Sequence, residues 1–415
     1  MKDNQAKYPQ LRFKGFTAPW EQRKLGELFK PSRNKNNNDL YNQKDILAAS
    51  LGTELIPKRT FFGLKSTKES VKNYRVVKHG DLIYTKSPIK GFPNGIVRTN
   101  KGNVGIVPSL YCVYQAQKEI NTSIIQLYFE DKNRLDFYLF PLVNVGARNN
   151  VNITDLEFLE GIIKVPKSIE EQKKIVDFIE HFNKAITLHQ RKLAKLKELK
   201  QGYLQKMFPK NGAKVPELRF AGFADDWEER KLGDIAPLRG GFAFKSSKFR
   251  NTGVPIVRIS NILSSGEVGG DFAYYDEQDK DDKYILPDKS AVLAMSGATT
   301  GKVSILSQTD YDKVYQNQRV GYFQSVDYID YGFISTIVRS ELFMMQLESV
   351  LVSGAQPNVS SKEIDSFNFM IPILVQEQQK IGSFFQQLDE TIALHQRKLD
   401  LLKEQKKGFL QKMFV

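Results

Sequence analysis

The chain has 415 residues, enough for two or three domains that each bury a core. Its 61 Lys and Arg residues against 47 Asp and Glu give a net charge of +14, which favours a polyanionic partner. One cysteine and four scattered histidines exclude an internal disulfide and a structural zinc site. The sequence has neither an apolar run of about 18 residues nor a signal peptide at its start, so we expect a cytoplasmic protein.

The first distinctive stretch in chain order contains a tryptophan and occurs twice. It reads PQLRFKGFTAPWEQRKLG at residues 9–26 and PELRFAGFADDWEERKLG at residues 216–233, with 12 of 18 positions identical. We call each copy a Trp segment. A duplication at this spacing predicts two related structural units within one chain.

A body of mixed secondary structure follows each Trp segment, at about residues 27–165 and 234–371. Runs rich in β-branched and aromatic residues predict strands, and apolar residues at 3–4 spacing predict helices. The predicted strands are 81–84, 109–114, 255–259, 291–295 and 320–323, and the predicted helices are 124–142 and 333–350. Outside these landmarks the bodies are hard to align, so we expect matching frameworks with different surfaces.

A long helix ends each repeat, at residues 172–208 and 378–414, and 21 of the 37 positions are identical. Apolar residues recur at heptad a/d spacing, which predicts an antiparallel intramolecular coiled coil of helices about 55 Å long. The predicted seam comprises Ile179, Phe182, Ile186, His189, Leu193 and Leu196 in the first helix, and Phe385, Leu388, Ile392, His395, Leu399 and Leu402 in the second.

Polar residues interrupt this seam at matching places, His189 and Lys200 in the first helix and His395 and Lys406 in the second. We interpret the two histidines as a polar contact that sets the helix register. A pH-sensing or metal-binding role is the alternative.

These elements predict an α+β fold in which two pseudo-repeated mixed α/β domains are joined by the long helices. The predicted domains are 1–167, the first body with its Trp segment; 168–208, the first helix; 209–216, a linker; 217–373, the second body with its Trp segment; and 374–415, the second helix. Because the linker is short, pseudo-twofold symmetry predicts that Phe414 lies about as near Pro9 as Phe208 lies to Pro216.

No reaction centre is recognisable. No two prolines are adjacent, so the Asn/Asp-Pro-Pro-aromatic motif of amino-methyltransferases is missing, and so is G-x-G-x-x-G. Residues 297–302, GATTGK, differ from a phosphate loop because three residues instead of four separate the glycines, and Val303 stands where Ser or Thr would bind magnesium. We therefore expect the chain to catalyse nothing by itself and to bind no metal or cofactor.

Several loops instead carry donors suited to DNA. Residues 316–319 place three amides and a guanidinium in a row, which suits direct readout of adenine and guanine. Turn 297–302 suits phosphate or base contact, with a plain glycine-requiring β-turn as the alternative. For Phe242 and Phe244, which stand among basic residues, core packing is favoured over base stacking. The candidate DNA-contacting residues are Lys86, Lys90, Arg148, Asn149, Asn150, Arg239, Lys245, Arg258, Ser296, Thr299, Lys302, Gln316, Asn317, Gln318, Arg319, Gln356 and Asn358.

The duplicated motifs make the chain similar, along its whole length, to the specificity subunit of type I restriction-modification systems. The motifs are LRF-x-GF…WE-x-RKLG at residues 11–26 and 218–233, VRISNI at 257–262, SGATTGK at 296–302, GAQPN at 354–358, and Pro-x4-Glu-Gln at 166–172 and 372–378. The first body departs from this pattern, since it lacks the Ser-Gly-Ala-Thr turn and has Arg148, Asn149 and Asn150 where Gln-Pro-Asn is usual.

The resemblance implies that each body is a target-recognition domain that reads one half of a bipartite DNA sequence, with the helices as spacer. It also implies two methyltransferase subunits and restriction/translocase subunits as partners, which would hold S-adenosylmethionine, ATP and magnesium. The alternatives are a stand-alone nucleic-acid enzyme with a degenerate site, and a non-catalytic coiled-coil adaptor that does not read DNA.

Overall fold

The structure, a computed structural model, describes residues 8–37, 40–51, 55–57, 71–89, 91–143, 151–210, 212–307, 311–351 and 358–414. It divides into two compact units, one of Met1–Arg191 with Arg397–Val415 and one of Lys192–Gln396. Each unit holds one Trp segment, one body and part of each long helix. The linear domain boundaries given above remain predictions, because the compact units divide both helices.

The first unit is built on a four-stranded antiparallel sheet with small two-stranded sheets beside it. Its strands are β1 (Glu21–Lys24), β2 (Phe29–Pro31), β3 (Leu47–Ala48), β4 (Ile56–Pro57), β5 (Arg75–Val77), β6 (Leu82–Tyr84), β7 (Val97–Thr99), β8 (Gly105–Val107), β9 (Cys112–Ala116) and β10 (Ile162–Val165). Its helices are α1 (Leu25–Leu28), α2 (Thr122–Tyr128), α3 (Lys132–Leu139), α4 (Asp155–Leu159) and the start of the long helix α5 (Ile169–Lys206). The sheet order is β2-β9-β6-β7, with pairs β1-β10, β3-β4 and β5-β8.

The second unit repeats this arrangement. Its strands are β11 (Glu228–Lys231), β12 (Leu238–Gly240), β13 (Val254–Val257), β14 (Ala273–Tyr275), β15 (Ala291–Ala294), β16 (Val303–Ile305), β17 (Tyr315–Gln316), β18 (Val320–Phe323) and β19 (Asn368–Ile371). Its helices are α6 (Leu232–Ile235), α7 (Tyr331–Ile337), α8 (Glu341–Leu351), α9 (Ser361–Asp365) and the start of the long helix α10 (Val375–Met413). The four-stranded sheet has the order β12-β18-β15-β16, and β14-β13-β17 and β11-β19 form the smaller sheets.

The four-stranded sheets, the strand pairs β1-β10 and β11-β19 and the helices match between the two units, as predicted, whereas the other small sheets differ. In each unit the strand that ends the Trp segment pairs with the strand that leads into the long helix, Glu21 lying opposite Val165 and Glu228 opposite Ile371. One large core in each unit joins the tryptophan, the inner sheet face and the first turns of the long helix. Burial of this apolar surface is the main force that holds each body to its helix.

Two predicted helices, 124–142 and 333–350, are each divided into two shorter helices in the structure. The reason is side-chain capping, which apolar spacing does not show. Asp131 accepts a hydrogen bond from the backbone of Asn133, and Ser340 Oγ accepts one from Phe343 N at 3.4 Å. Strand 109–114 begins later than predicted, at Cys112, because Tyr111 N closes a turn onto Pro108 O.

The long helices run antiparallel within each unit, as predicted. In the first unit the rings of Phe178 and Phe409 lie 5.0 Å apart, and in the second Tyr203 and Phe384 do the same. Of the predicted seam, Ile179, Leu193, Phe385, Leu399 and Leu402 are buried, whereas Phe182, Ile186, His189, Leu196, Leu388, Ile392 and His395 are half-buried. The role of the two histidines remains a prediction.

Each Trp segment lies against the end of a long helix. Leu11 N donates to Lys412 O at 2.9 Å, and Leu218 N donates to Lys206 O at the same distance. The first Trp segment therefore contacts the end of the second long helix through the same hydrogen bond by which the second Trp segment contacts the end of the first. This confirms the expectation that Phe414 lies about as near Pro9 as Phe208 lies to Pro216.

A buried ion pair ties each Trp segment to the start of a long helix. The Arg12 guanidinium binds both oxygens of Glu171 at 2.7 and 2.8 Å, and Arg219 binds Glu377 with the same two distances. Both glutamate side chains are only 1% exposed. A bidentate arginine–carboxylate pair is strong and geometrically specific, so it sets how the segment meets the helix.

The glutamine that follows each of these glutamates bonds to two other parts of its unit. Gln172 Nε2 donates to Pro166 O at 2.8 Å, and its Oε1 accepts from Asn121 N at 2.9 Å. Gln378 repeats both bonds, with Pro372 O and with Asp330 N. The repeated Pro-x4-Glu-Gln motif is therefore the joint at which body, Trp segment and long helix meet.

Replacing Arg12 with alanine should leave Glu171 charged and buried without its main partner. We expect the free energy of unfolding of the first unit to fall by about 3 kcal/mol, measured by urea denaturation. The control is Lys24→Ala, whose partner Glu160 is exposed, and we expect it to unfold at the same urea concentration as the unsubstituted chain. Equal losses in the two variants would contradict the role given to the buried pair.

Candidate nucleic-acid interface

In the second unit, three chain segments meet at one end of the four-stranded sheet. Met295 N donates to Arg319 O at 3.0 Å, and Val359 N donates to Met295 O at 2.9 Å. Ser296 and Asn358 form an isolated antiparallel bridge. Ser296, Arg319 and Asn358, which are far apart in sequence, therefore lie side by side.

Turn 297–302 connects β15 to β16 and needs its glycines for structural reasons. Gly297 and Gly301 have φ of +81° and +87°, in the region that favours glycine. A Cβ on Gly301 would lie 2.3 Å from Leu347 Cδ2. The β-turn alternative accounts for both glycines.

Two predicted donors of this turn are tied to the loop at residues 259–264. Thr299 Oγ1 donates to Ile259 O at 3.3 Å, and Lys302 Nζ donates to Ser264 Oγ at 2.7 Å. Both side chains are half-buried. The bonds hold the turn close to the end of β13.

The turn between β17 and β18 divides the predicted readout quartet. Gln316 is fully buried, and its Nε2 donates to Arg239 O at 2.8 Å and to Val320 O at 2.7 Å. The prediction that Gln316 contacts a base is therefore wrong, because its amide is inaccessible and already bonded. Asn317 is half-buried, whereas Gln318 and Arg319 are exposed.

Arg239 is also part of the structure of the body. Its guanidinium donates twice to Gln316 Oε1, at 2.9 and 3.1 Å, and lies 4.9 Å from the ring centre of Tyr322. Burial lowers the pKa of Arg239 from its ordinary value. The Arg239 guanidinium is therefore engaged within the body but half-buried, and its contact with DNA stays a prediction.

The other two basic candidates of this body differ in exposure. Arg258 Nη2 donates to Asp271 O at 3.1 Å, and its guanidinium lies 5.8 Å from the ring centre of Phe249. Lys245 is exposed. Of the two, Lys245 is the side chain open to a phosphate.

An aromatic pair that sequence reasoning did not find lies beside the β17–β18 turn. Phe242 N donates to Gln316 O at 3.0 Å, and the Phe242 ring stacks on Tyr284 with centroids 5.1 Å apart. Phe242 is 36% exposed, whereas Phe244 is buried. Core packing, favoured for both phenylalanines, holds for Phe244 only. No local pattern marks Tyr284, because only the tertiary fold brings it to Phe242.

The first body places its one described candidate differently. Lys86 has φ of +56°, and its Nζ lies 3.8 Å from Asp155 Oδ1. Asp155 also forms an ion pair with Arg75. The Lys86 side chain is only 15% exposed, so it is held by a carboxylate and does not project freely. The candidates Lys90, Arg148, Asn149 and Asn150, and Gln356 of the second body, lie outside the described residues.

No cluster of three or more His, Cys, Asp or Glu side chains in the described ranges could hold a metal ion. No helix in the same ranges is long and apolar enough to cross a membrane.

Comparison with known proteins identifies relatives along the whole chain. The type I restriction enzyme MjaVIII specificity subunit of Methanocaldococcus jannaschii is 25% identical over 312 residues, which cover 70% of this chain and 72% of that protein. The crystal structure of the S subunit of a type I restriction-modification system from M. genitalium matches with a TM-score of 0.66 at 15% identity, covering 98% of this chain and 99% of that one. A structure described as the basis of complex assembly and conformational transition of the type I R-M system matches with a TM-score of 0.50 at 15% identity, covering 96% and 99%.

The two solved structures have the same fold as this chain. Because their sequence identity to it is low, the match shows the fold alone. Residues 18–198 and residues 224–404 each match the family described as Type I restriction modification DNA specificity domain. These stretches coincide with the two structural repeats and together cover most of the sequence. The chain therefore belongs to the family of type I restriction modification DNA specificity domains and carries that domain twice.

Proposed function

We propose that each body of this type I DNA specificity subunit reads one half of an asymmetric, bipartite DNA sequence. The observation that carries the proposal is that the two four-stranded sheets have the same strand order but different loops at matching places. In the second body β15 and β16 are joined by a short glycine turn, whereas in the first body β6 and β7 are joined by residues 85–96. Matching frames with different loops suit two different half-sites.

The loop ends around Arg319 are the proposed reading surface of the second body. Gln318, Arg319 and Asn358 are exposed and polar, and the half-exposed ring of Phe242 lies nearby. Exposed amide and guanidinium groups bond to the base edges of adenine and guanine, and an apolar ring suits a thymine methyl group. The net charge of +14 supports additional binding to backbone phosphates.

The long helices are the proposed spacer between the two half-sites. Helices α5 and α10 contain 38 and 39 residues, which corresponds to about 57 Å at 1.5 Å per residue. Helices of this length suit two half-sites about one DNA turn apart.

As a specificity subunit the chain is non-catalytic and assembles with other subunits of a type I system. We propose that two methyltransferase subunits and the restriction/translocase subunits carry out the chemistry and hold S-adenosylmethionine, ATP and magnesium. Leu188 and Leu394 support docking on the helices, because they occupy matching positions and are 66% and 62% exposed. We expect the complex to act in the cytoplasm, on the DNA of the cell.

The function is tested by mapping methylated adenines in a genome that carries this chain with its methyltransferase partner. We expect one asymmetric motif with a gap between its halves. A second strain carries one added heptad in each long helix, inserted after Gln190 and after Gln396, which keeps the helix faces in phase. Seven residues add about 10 Å, so the gap should lengthen by about three base pairs.

A matched control carries the heptad in α5 only, which shifts one helix against the other and should abolish methylation. Methylation without a gapped motif would contradict the reading of two half-sites. An unchanged gap in the double-insertion strain would contradict the spacer role alone.

Replacing Arg319 with alanine should weaken recognition of the second half-site. We expect the affinity of the methyltransferase complex for its target to fall by about 2 kcal/mol, roughly 30-fold, with the first half-site preference unchanged. Fluorescence anisotropy with oligonucleotides altered in either half-site measures both effects.

The control for net charge is Arg230→Ala, because Arg230 is an exposed arginine on β11 that pairs with Glu228 of the same strand. It should change the affinity for all oligonucleotides by less than about threefold. An equal loss on every DNA in the Arg319 variant would show phosphate contact and not base reading.

A further inference from the structure

Lys200 and Lys406, which interrupt the predicted seam, each pair with an acid, but the acid comes from a different element in each unit. In the first unit Lys406 Nζ lies 2.6 Å from Glu130 Oε2, and Glu130 belongs to the body. In the second unit Lys200 pairs with Asp389 of the long helix α10. The other oxygen of Asp389 lies 2.6 Å from Arg339 Nη1, and Arg339 belongs to the body.

Glu130 and Arg339 occupy the same place in the two bodies. Asn121 caps α2 and Asp330 caps α7, and the backbone N of each donates a hydrogen bond of 2.9 Å to the side-chain Oε1 of the glutamine near the start of its long helix, Gln172 or Gln378. Both capped helices have seven residues. The charged residue follows its cap by nine positions in each case (130 − 121 and 339 − 330). The body thus presents opposite charges at one site.

The long helix changes at the matching position. The aromatic pairs Phe178–Phe409 and Tyr203–Phe384 are related by the repeat offset of 206 (384 − 178 and 409 − 203), so the helices have the same register in both units. The repeat offset of 206 relates Lys406 to Lys200 and places Asn183 where the second unit has Asp389. The second unit therefore has an acid on the helix, Asp389, together with a base on the body, Arg339.

These charges are largely shielded from water. The side chains of Lys406 and Glu130 are 13% and 9% exposed, and those of Lys200, Arg339 and Asp389 are 21%, 17% and 26% exposed. Burial raises the pKa of Glu130, but the charges of Lys406 and of the buried Arg98 outweigh burial, so its pKa lies below the ordinary value. A charge removed from water to this degree is costly when its partner is missing.

We propose that these paired charges form a charge code between body and long helix. By charge code we mean that the signs of the charges decide which body a long-helix segment accepts. The segment with Asp389 and Lys200 accepts a body of this fold that carries a base at the position of Arg339. The segment with Asn183 and Lys406 accepts a body that carries an acid at the position of Glu130. An exchanged body would bring two acids against one lysine, or two bases together with no acid. The code does not depend on which DNA sequence either body reads.

The test is a double-mutant cycle in the second unit of the full chain, read by the midpoint of thermal unfolding. Arg339→Glu faces Asp389 with a second acid, and Asp389→Asn leaves Arg339 and Lys200 without an acid. We expect each single variant to lower the midpoint by about 5 °C. The double variant recreates the Glu–Lys pair and the neutral helix residue of the first unit, so we expect a midpoint within about 2 °C of the unsubstituted chain.

The control is Glu390→Gln, because Glu390 is the next residue on α10 and is exposed, and we expect a shift below about 1 °C. Recovery in the double variant supports the charge code. The proposal is overturned by single variants that unfold like the control, or by a double variant that loses as much as the two single variants combined.

Discussion

The structure depends on a buried carboxylate at the beginning of each long helix. Glu171 and Glu377 are almost inaccessible to water, and each is held by two hydrogen bonds from an arginine of its Trp segment. The next residue, a glutamine, bonds to the proline at the end of the last strand and to the cap of a body helix. Because a buried charge requires its partner, this small set of side chains ties together three elements that are distant in sequence. The rest of each unit is arranged around that joint.

The residues of the joint are different from those of the loops that connect the sheet strands. One fold can therefore read two different half-sites. The Trp segment, the paired first and last strands and the start of the helix are alike in both units, whereas the loops at the far end of the sheet differ. The exposed side chains of those loops, such as Gln318 and Arg319, take no part in the buried ion pair or the core, so the surface that meets DNA is free to vary there. The side chains that hold the loops in place, such as Gln316 and Arg239, form hydrogen bonds within the body. Neighbours such as Gln318 and Arg319 are left exposed.

Much of the framework could be predicted from the sequence, since it rests on periodicity and duplication. Heptad spacing located the long helices, and symmetry placed each Trp segment at a helix end. Reasoning failed where one residue type serves two physical purposes. Gln316 has the amide that reads adenine, but the fold places Arg239 against it, buries Gln316 and leaves Arg239 half-buried. The caps Asp131 and Ser340 divide helices that apolar spacing alone shows as continuous.

Other features came only from the tertiary fold. The stacking of Tyr284 on Phe242 joins residues about 40 positions apart, and no local pattern marks it. Lys200 and Lys406 stood out as polar residues in an apolar seam, yet their partners lie in different elements, Asp389 on a helix and Glu130 in a body. Such pairings depend on which side chains approach within about 4 Å, and sequence spacing does not contain that information.

The chain consists of two equivalent units, and in each of them the end of a long helix meets a Trp segment through the same backbone hydrogen bond. The most direct test is the thermal unfolding of a circular permutant in which Phe414 is joined to Pro9 by a copy of the residue 209–215 linker and the chain is opened in the original linker. We expect a folded protein whose unfolding midpoint lies within about 5 °C of that of the parent chain. A permutant that fails to fold would contradict it.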